Sequence, residues 1–196
     1  MHGPEATSTP VKARERILST SYRLFARRGV NGVGVDEVIE RSHVAKATFY
    51  RHFPSKDALV LAYLERREQE WTHGLVEQGS EARGNTPEER LLAVFDVFDE
   101  WFDSDDFDGI AFITVLLEMG KDHPLGQASI EHLANLRAIT RRRAEEAGLR
   151  DPEEFARAWH ILMKGSIIAA LEGDTGAARR AKSMGKDLIE QHRTTS

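Results

Sequence analysis

The chain has 196 residues, 40% of them hydrophobic and 30% charged, which is apolar material enough for a packed core and unlike a disordered segment. It contains no cysteine, which excludes disulfides, thiolate metal ligands and cysteine nucleophiles. The net charge of −5 argues on its face against a nucleic-acid partner.

The distribution of charge reverses that argument. Residues 1–56 carry ten Lys/Arg against five acids, a net of +5, while the remainder carries 17 against 27, a net of −10. A basic quarter on an acidic body suits a small DNA-binding module whose larger partner must not adhere to phosphates. Chance clustering on a solvated face gives the same pattern, so charge alone leaves both open.

Residues 1–9 hold no apolar run with a basic lead and read as a flexible arm, not a secretory signal. The longest apolar stretches, Ile110–Leu117 and Ile167–Leu171, fall far short of the roughly 20 residues that span a bilayer. The expected location is the cytoplasm. Helical spacing recurs along the whole chain and period-two alternation does not, so the fold class is all-α with about nine helices.

The first helix is expected over Pro10–Arg28, capped by Thr9 with proline at its first position and closed by Gly29 in a left-handed conformation. Ile17, Leu18, Leu24 and Phe25 form its apolar stripe. A short helix follows over Val35–Arg41, then the turn Ser42-His43-Val44, then a second short helix over Ala45–His52. Ser55 can cap a long helix from Lys56 to about Gln78, and Gly79–Asn85 reads as a loop. Thr86-Pro87-Glu88-Glu89 is a capping box that opens a helix to about Phe102. Beyond an acidic loop, helices are expected over Ile110–Met119, Pro124–Ala147, Pro152–Leu171 and Gly176–Gln191, the third opened by a second capping box at Asp151-Pro152-Glu153-Glu154.

Two short helices joined by a three-residue turn make a helix-turn-helix, in which one helix crosses the phosphate backbone and the other enters the major groove. The second helix is equipped for that. Lys46 and Arg51 bring positive charge, and Thr48, Tyr50 and His52 bring hydrogen-bonding groups for phosphates or base edges.

From Ile17, Phe25 and Gly29, through Val44-Ala45-Lys46-Ala47-Thr48-Phe49-Tyr50-Arg51-His52-Phe53, to Ser55-Lys56, the chain resembles the tetracycline-repressor (TetR) family of bacterial transcription regulators over about residues 11–60. The resemblance implies a three-helix DNA-binding domain over 10–56 and a ligand-binding and dimerisation body over 57–196, connected by the helix from about 56 to 78. It implies that Lys46, Ala47, Thr48, Tyr50, Arg51, His52 and Lys56 meet DNA, with Tyr50 and Lys56 on phosphates and Phe25, Phe49 and Phe53 holding the reader to its core. Three positions depart from the family's pattern. Gly34 stands at the cap usually held by threonine or serine, His43 at the turn glycine, and Ala45 at the serine cap of the reading helix, which removes about 1 kcal/mol of capping.

In the body, Phe155, Leu162, Ser166 and Ala170, followed by Ala177, Ala181, Met184 and Leu188, mix small and apolar residues in a way that suits a four-helix dimer seam. The same mix suits an intramolecular core. An effector pocket is expected among Phe98, Trp101, Phe102, Phe112, Leu116, Met119, Trp159 and Met163, with Glu118 or His160 as polar contacts. The acids Asp99, Glu100, Asp103, Asp105, Asp106 and Asp108 could attract a cation but read more simply as a solvated loop. The scattered histidines show no metal-ligand spacing, the glycines at 29, 32 and 34 follow a helix and not a strand, and neither cofactor nor metal is expected.

The function these features imply is a homodimeric, ligand-responsive regulator, most simply a repressor released from a palindromic operator by a small apolar or amphipathic effector. The alternatives are a DNA-binding regulator without a ligand and an all-helical enzyme or cofactor carrier. For the last of these the chain offers no recognisable nucleophile, acid–base pair or metal cluster.

Overall fold

The structure is a computed structural model that describes residues 10–105, 107, 109 and 111–194. Every regular element among the described residues is helical: α1 (Pro10–Arg28), α2 (Val35–Ser42), α3 (Lys46–His52), α4 (Lys56–Arg67), α5 (Gly79–Glu81), α6 (Pro87–Phe102), α7 (Ala111–Met119), α8 (Pro124–Glu146), α9 (Pro152–Leu171) and α10 (Ala177–Gln191). Between α4 and α5 the helix widens to a π-helix over Glu68–Gln78 without a break in the rod. With α4 to α5 counted as one rod, nine helices stand among the described residues. The arm over 1–9, the Thr9 cap, Ile110, Asp106 and Asp108 lie outside them.

Local chemistry accounts for most of the boundaries. Gly29 adopts φ 70° and its N–H bonds Phe25 O, ending α1 behind Arg27 and Arg28. Ser55 Oγ accepts the Ala58 N–H at 3.1 Å and opens α4. Thr86 and Glu89 form the full reciprocal capping box of α6. Two expectations are corrected. Residues 79–81 are helical, because the rod from α4 carries on past Gln78. Asp151 makes no side-chain cap on α9: its backbone is left-handed, at φ 49° and ψ 59°, whereas a capping residue is extended.

The chain divides into two compact units. The first comprises the described residues up to 66 together with 113–129, so the unit that holds the reader extends beyond 10–56. Ile17, Leu18, Phe25, Val38, Phe49, Phe53, Leu59 and Leu64 fill its core, and Tyr63 stands edge-on to both Tyr22 and Phe25. The second unit comprises 67–112 and the chain from 130 onward. There Phe95, Phe155, Trp159, Met163, Ile167, Ala178, Ala181 and Ile189 pack α6, α9 and α10 together. Ion pairs Lys182–Asp96 (2.6 Å), Arg179–Asp99 (2.9 Å) and Arg193–Glu88 (2.7 Å) edge the α6–α10 contact. Arg143 is buried, with its guanidinium donating to Ser80 Oγ at 2.8 Å and Glu77 O at 3.0 Å, so the cost of burying the charge is offset by hydrogen bonds.

Candidate nucleic-acid interface

The reader is built on α2, the turn and α3. His43 adopts the left-handed conformation that the turn requires, at φ 52° and ψ 48°, and its N–H bonds Glu40 O. Gly34 and Ala45 are extended N-caps without a side-chain bond, as their residue types dictate. The seven residues of α3 then split cleanly between two faces. Phe49 is wholly buried and packs against Phe53 at 6.1 Å. Lys46, Ala47, Tyr50 and Arg51 are exposed, and Thr48 is half-buried.

Tyr50 is 43% exposed although it is a large aromatic, and its ring stands edge-on to Phe49 at 5.3 Å. Arg51 donates to Thr48 Oγ1 at 3.2 Å. Lys46 reaches Asp36 at 3.5 Å, but both side chains are well exposed, so this pair is weak and leaves Lys46 available to a stronger anion. His52 fits less well than the rest: it is half-buried, and its Nε2 is buried without a partner among the described residues. Lys56 is half-buried at the first turn of α4, where its charge and the helix dipole favour an anion and Asp57 opposes one.

The first turn of α2 carries Asp36 and Glu37, which would repel phosphate. Glu37 is balanced by two guanidiniums, Arg28 at 2.8 Å and Arg41 at 3.0 Å. Arg14 lies over the Phe53 ring at 5.3 Å and adds positive charge beside the end of α3.

Glu118 is not placed as a ligand contact. Its Oε2 accepts the Asn31 N–H at 2.9 Å and its backbone O accepts from Asn31 Nδ2 at 3.5 Å, so α7 holds the α1–α2 connection within the first unit. Gly29 makes this possible, because a Cβ there would overlap the Glu118 carboxylate. Spacing could not have revealed a bond across 87 residues.

The residues expected around an effector fall in both units. Leu116 and Met119 belong to the first unit, and Phe98, Trp101, Phe102, Phe112, Trp159 and Met163 to the second. In the second unit Trp71 joins Phe98 (6.0 Å), Trp101 (5.6 Å) and Phe112 (6.5 Å), and Phe112 stacks on His132 at 5.0 Å. Trp71 was not among the expected lining residues, nor were Thr72, His132 and Glu68. Among the described residues, the indole Nε1 of Trp71 and Oγ1 of Thr72 are buried without hydrogen-bond partners, while Glu68 holds His132 at 2.8 Å and accepts from Asn135 at 2.8 Å. Trp159 stacks on Phe155 at 5.3 Å in the α6–α9–α10 core, and burial pushes His160 down to about 3, with Lys164 and Arg137 adding to the effect.

Of the expected seam, Phe155, Ser166, Ala177 and Ala181 are buried within the single chain, so they serve its own core. Leu162, Ala170 and Leu188 are half-buried and Met184 is exposed. The apolar side chains that α9 leaves open are instead Ile161 (71% exposed), Ile168 (45%) and Leu171 (54%), with exposed Gly165 between the first two. Asp99 and Glu100 are engaged by Arg179 and Arg83, and among the described residues no group of three or more His, Asp or Glu is placed to hold a metal ion. No helix is long and apolar enough to cross a membrane among the described residues.

Comparison with known proteins follows the same division. Residues 17–63 match the family model for bacterial regulatory proteins of the tetR family. The HTH-type transcriptional repressor NemR of Escherichia coli K12 is 35% identical over 82 residues, covering 42% of this chain and 41% of NemR. The HTH-type transcriptional activator FasR of Mycolicibacterium smegmatis is 30% identical over 92 residues, covering 47% of this chain and 41% of FasR. The matched stretch thus spans less than half the length of either relative. The crystal structure of SCO4454, a TetR-family transcriptional regulator from Streptomyces coelicolor, superposes with a TM-score of 0.84 at 24% identity, covering 93% of this chain and 96% of that one. The reader's residues, its helix-turn-helix and the all-helical fold agree, and residues 17–63 form a domain of the tetR family of bacterial regulatory proteins.

Proposed function

We propose that the chain is a sequence-specific, ligand-responsive DNA-binding regulator of transcription that works as a homodimer. The observation that carries this is the division of α3: Phe49 locks the helix to the core while Lys46, Ala47, Tyr50 and Arg51 project outward beside Thr48. Lys46 and Arg51 supply charge, Tyr50 and the α4 terminus with Lys56 take phosphates, and Thr48 and Arg51 reach base edges. His52 contributes less than the others, because its buried nitrogen faces the protein.

Two copies place their reading helices in successive major grooves, about 34–36 Å apart, which calls for an inverted-repeat operator. The open apolar stripe Ile161–Gly165–Ile168 on α9, with Met184 of α10, supports a two-fold contact between copies. A small apolar or amphipathic effector binds the aromatic cluster around Phe98, Trp101 and Phe112, and the unpaired groups on Trp71 and Thr72 offer it hydrogen bonds. Ligand and DNA then weaken each other's binding by one coupling factor. Occupation of an operator that overlaps a promoter represses transcription.

The test is a pull-down of fragmented genomic DNA by the purified protein, with sequencing of the retained fragments. Enrichment of sites that share an inverted repeat is the expected result, and the Tyr50→Ala protein should lose it. Equal retention of all fragments, or the same enrichment by Tyr50→Ala, overturns the assignment of the reading face.

A further inference from the structure

A second feature of the DNA-binding unit is untouched by the reading face: a groove between α1 and the C-terminal end of α2. Its main lobe has a volume of about 530 Å³, and a second lobe of about 290 Å³ shares Thr20, Arg23, Arg41 and His43 with it. None of the reading residues lines either lobe. From α1 come Arg16, Thr20, Arg23 and Arg27, spaced i, i+4, i+7 and i+11, which places them on one helix face over about 16 Å. Thr20 and Leu24 are buried and form the floor, and Arg41 and His43 stand on the other wall.

The groove carries surplus positive charge. Five guanidiniums line the two lobes: Arg16, Arg23, Arg27, Arg28 and Arg41. Glu37 engages Arg28 and Arg41, and the lining residue Glu15 is taken by Arg66. Among the described residues no carboxylate lies within ion-pair distance of Arg16, Arg23 or Arg27, and Glu40 is the acid left to oppose all three. His43 adds a second signal. A left-handed backbone strains a residue other than glycine, and strain of this kind persists where a side chain has work to do. The imidazole that replaces the family's glycine lines both lobes.

We propose that this groove is a binding site for a small polyphosphate or phosphorylated metabolite, separate from the reading face. Guanidinium forks match phosphate oxygens in pairs, and a volume of a few hundred Å³ suits a metabolite. A ligand there touches the turn of the helix-turn-helix itself, so it can act on the reader without passing through the second unit.

Isothermal titration of the full chain with inorganic tripolyphosphate tests this. Saturable binding of one ligand per chain is expected, weakened at least tenfold in Arg23→Ala/Arg27→Ala and several-fold in His43→Gly, even though the last variant should melt at a higher temperature. The Tyr50→Ala protein should bind tripolyphosphate as the natural chain does, so failure of the DNA-reading assignment leaves this result standing. Absent or non-saturating binding overturns the site, as does unchanged affinity in the double arginine variant. A further outcome also overturns it: if the double variant loses duplex affinity with a shallower salt dependence and no tripolyphosphate binds, the arginines serve the DNA backbone instead.

Discussion

Phe49 and Tyr50 are neighbours in sequence, yet one is wholly buried and the other 43% exposed, with their rings in contact. In the reader unit, the residue that anchors the core and the proposed reading residues fall on opposite faces of one seven-residue helix. The second unit is arranged differently. Of the six residues expected around an effector in this unit, Phe98, Trp101, Phe112, Trp159 and Met163 are between 0% and 7% exposed and belong to the core, and Phe102 is half-buried. The contrast teaches that a surface site can be deleted without unfolding its support, while a site inside a core cannot be probed by deletion at all.

The sharpest way to break that contrast lies within α3. Phe49→Ala should cost about 3–5 kcal/mol, because it removes a fully buried ring from a small core. Tyr50→Ala should cost under about 1 kcal/mol in urea denaturation while lowering operator affinity more than tenfold. Comparable destabilisation by the two would show that the faces are not separate.

In the second unit the smallest residue carries the comparable weight. A Cβ on Gly185 would stand 2.9 Å from Trp159 Cη2 and 3.2 Å from Phe95 Cε2, closer than packed carbon atoms approach. Gly185→Ala should therefore destabilise by about 1–3 kcal/mol through overpacking between α10, α9 and α6. A melting temperature equal to that of the natural chain would mean that this contact is looser than the distances state.

Acid separates the units again. His160 is 3% exposed and held neutral, with its pKa pushed down to about 3 by burial, then by Lys164 and Arg137. The unfolded chain takes up a proton near pH 6.5 that the folded chain refuses, so stability is full above 6.5 and falls as pH drops towards 3, by about 1.4 kcal/mol per pH unit. In the first unit the lowered group is Glu15, held down by the Ser19 hydroxyl and by Arg66, and its contribution is lost only as pH falls below 4.5. Denaturation between pH 6.5 and 4.5 thus isolates His160, and His160→Leu should flatten that interval while leaving stability at pH 7 within about 1 kcal/mol. An unchanged slope in the variant would place the titrating group elsewhere.

These differences also explain what could be read in advance. Helix ends written in local chemistry were legible: Gly29, Ser55 and Thr86 each act through backbone within a few residues. So was the reader, where apolar spacing separates Phe49 and Phe53 from Lys46 and Arg51. The π-helical stretch was not, because Glu68–Gln78 carries residues that an α-helix would accept equally well. Nor was the role of Glu118, which depends on a contact 87 positions away. Small and apolar residues at Ser166, Ala177 and Ala181 suit an intrachain contact as well as an interface between copies, and only the packing of α6 against α9 and α10 assigns them to the chain's own core.

The two capping patterns measure how far such local reading extends. Thr86-Pro87-Glu88-Glu89 and Asp151-Pro152-Glu153-Glu154 are nearly the same four residues, and the first closes a reciprocal box while the second makes no side-chain bond. The difference lies in the residue before each proline. Thr86 is extended at φ −108° and ψ 159°, which aims its hydroxyl at the Glu89 N–H, whereas Asp151 is left-handed and its side chain makes no cap bond on α9. Thr86→Ala should therefore cost about 1 kcal/mol of stability. Asp151→Gly should cost nothing and even stabilise by a few tenths of a kcal/mol, since glycine adopts this backbone without strain. If instead Asp151→Gly destabilises as much as Thr86→Ala in parallel melts, the aspartate caps α9 in solution and the backbone at 151 is extended like that at 86.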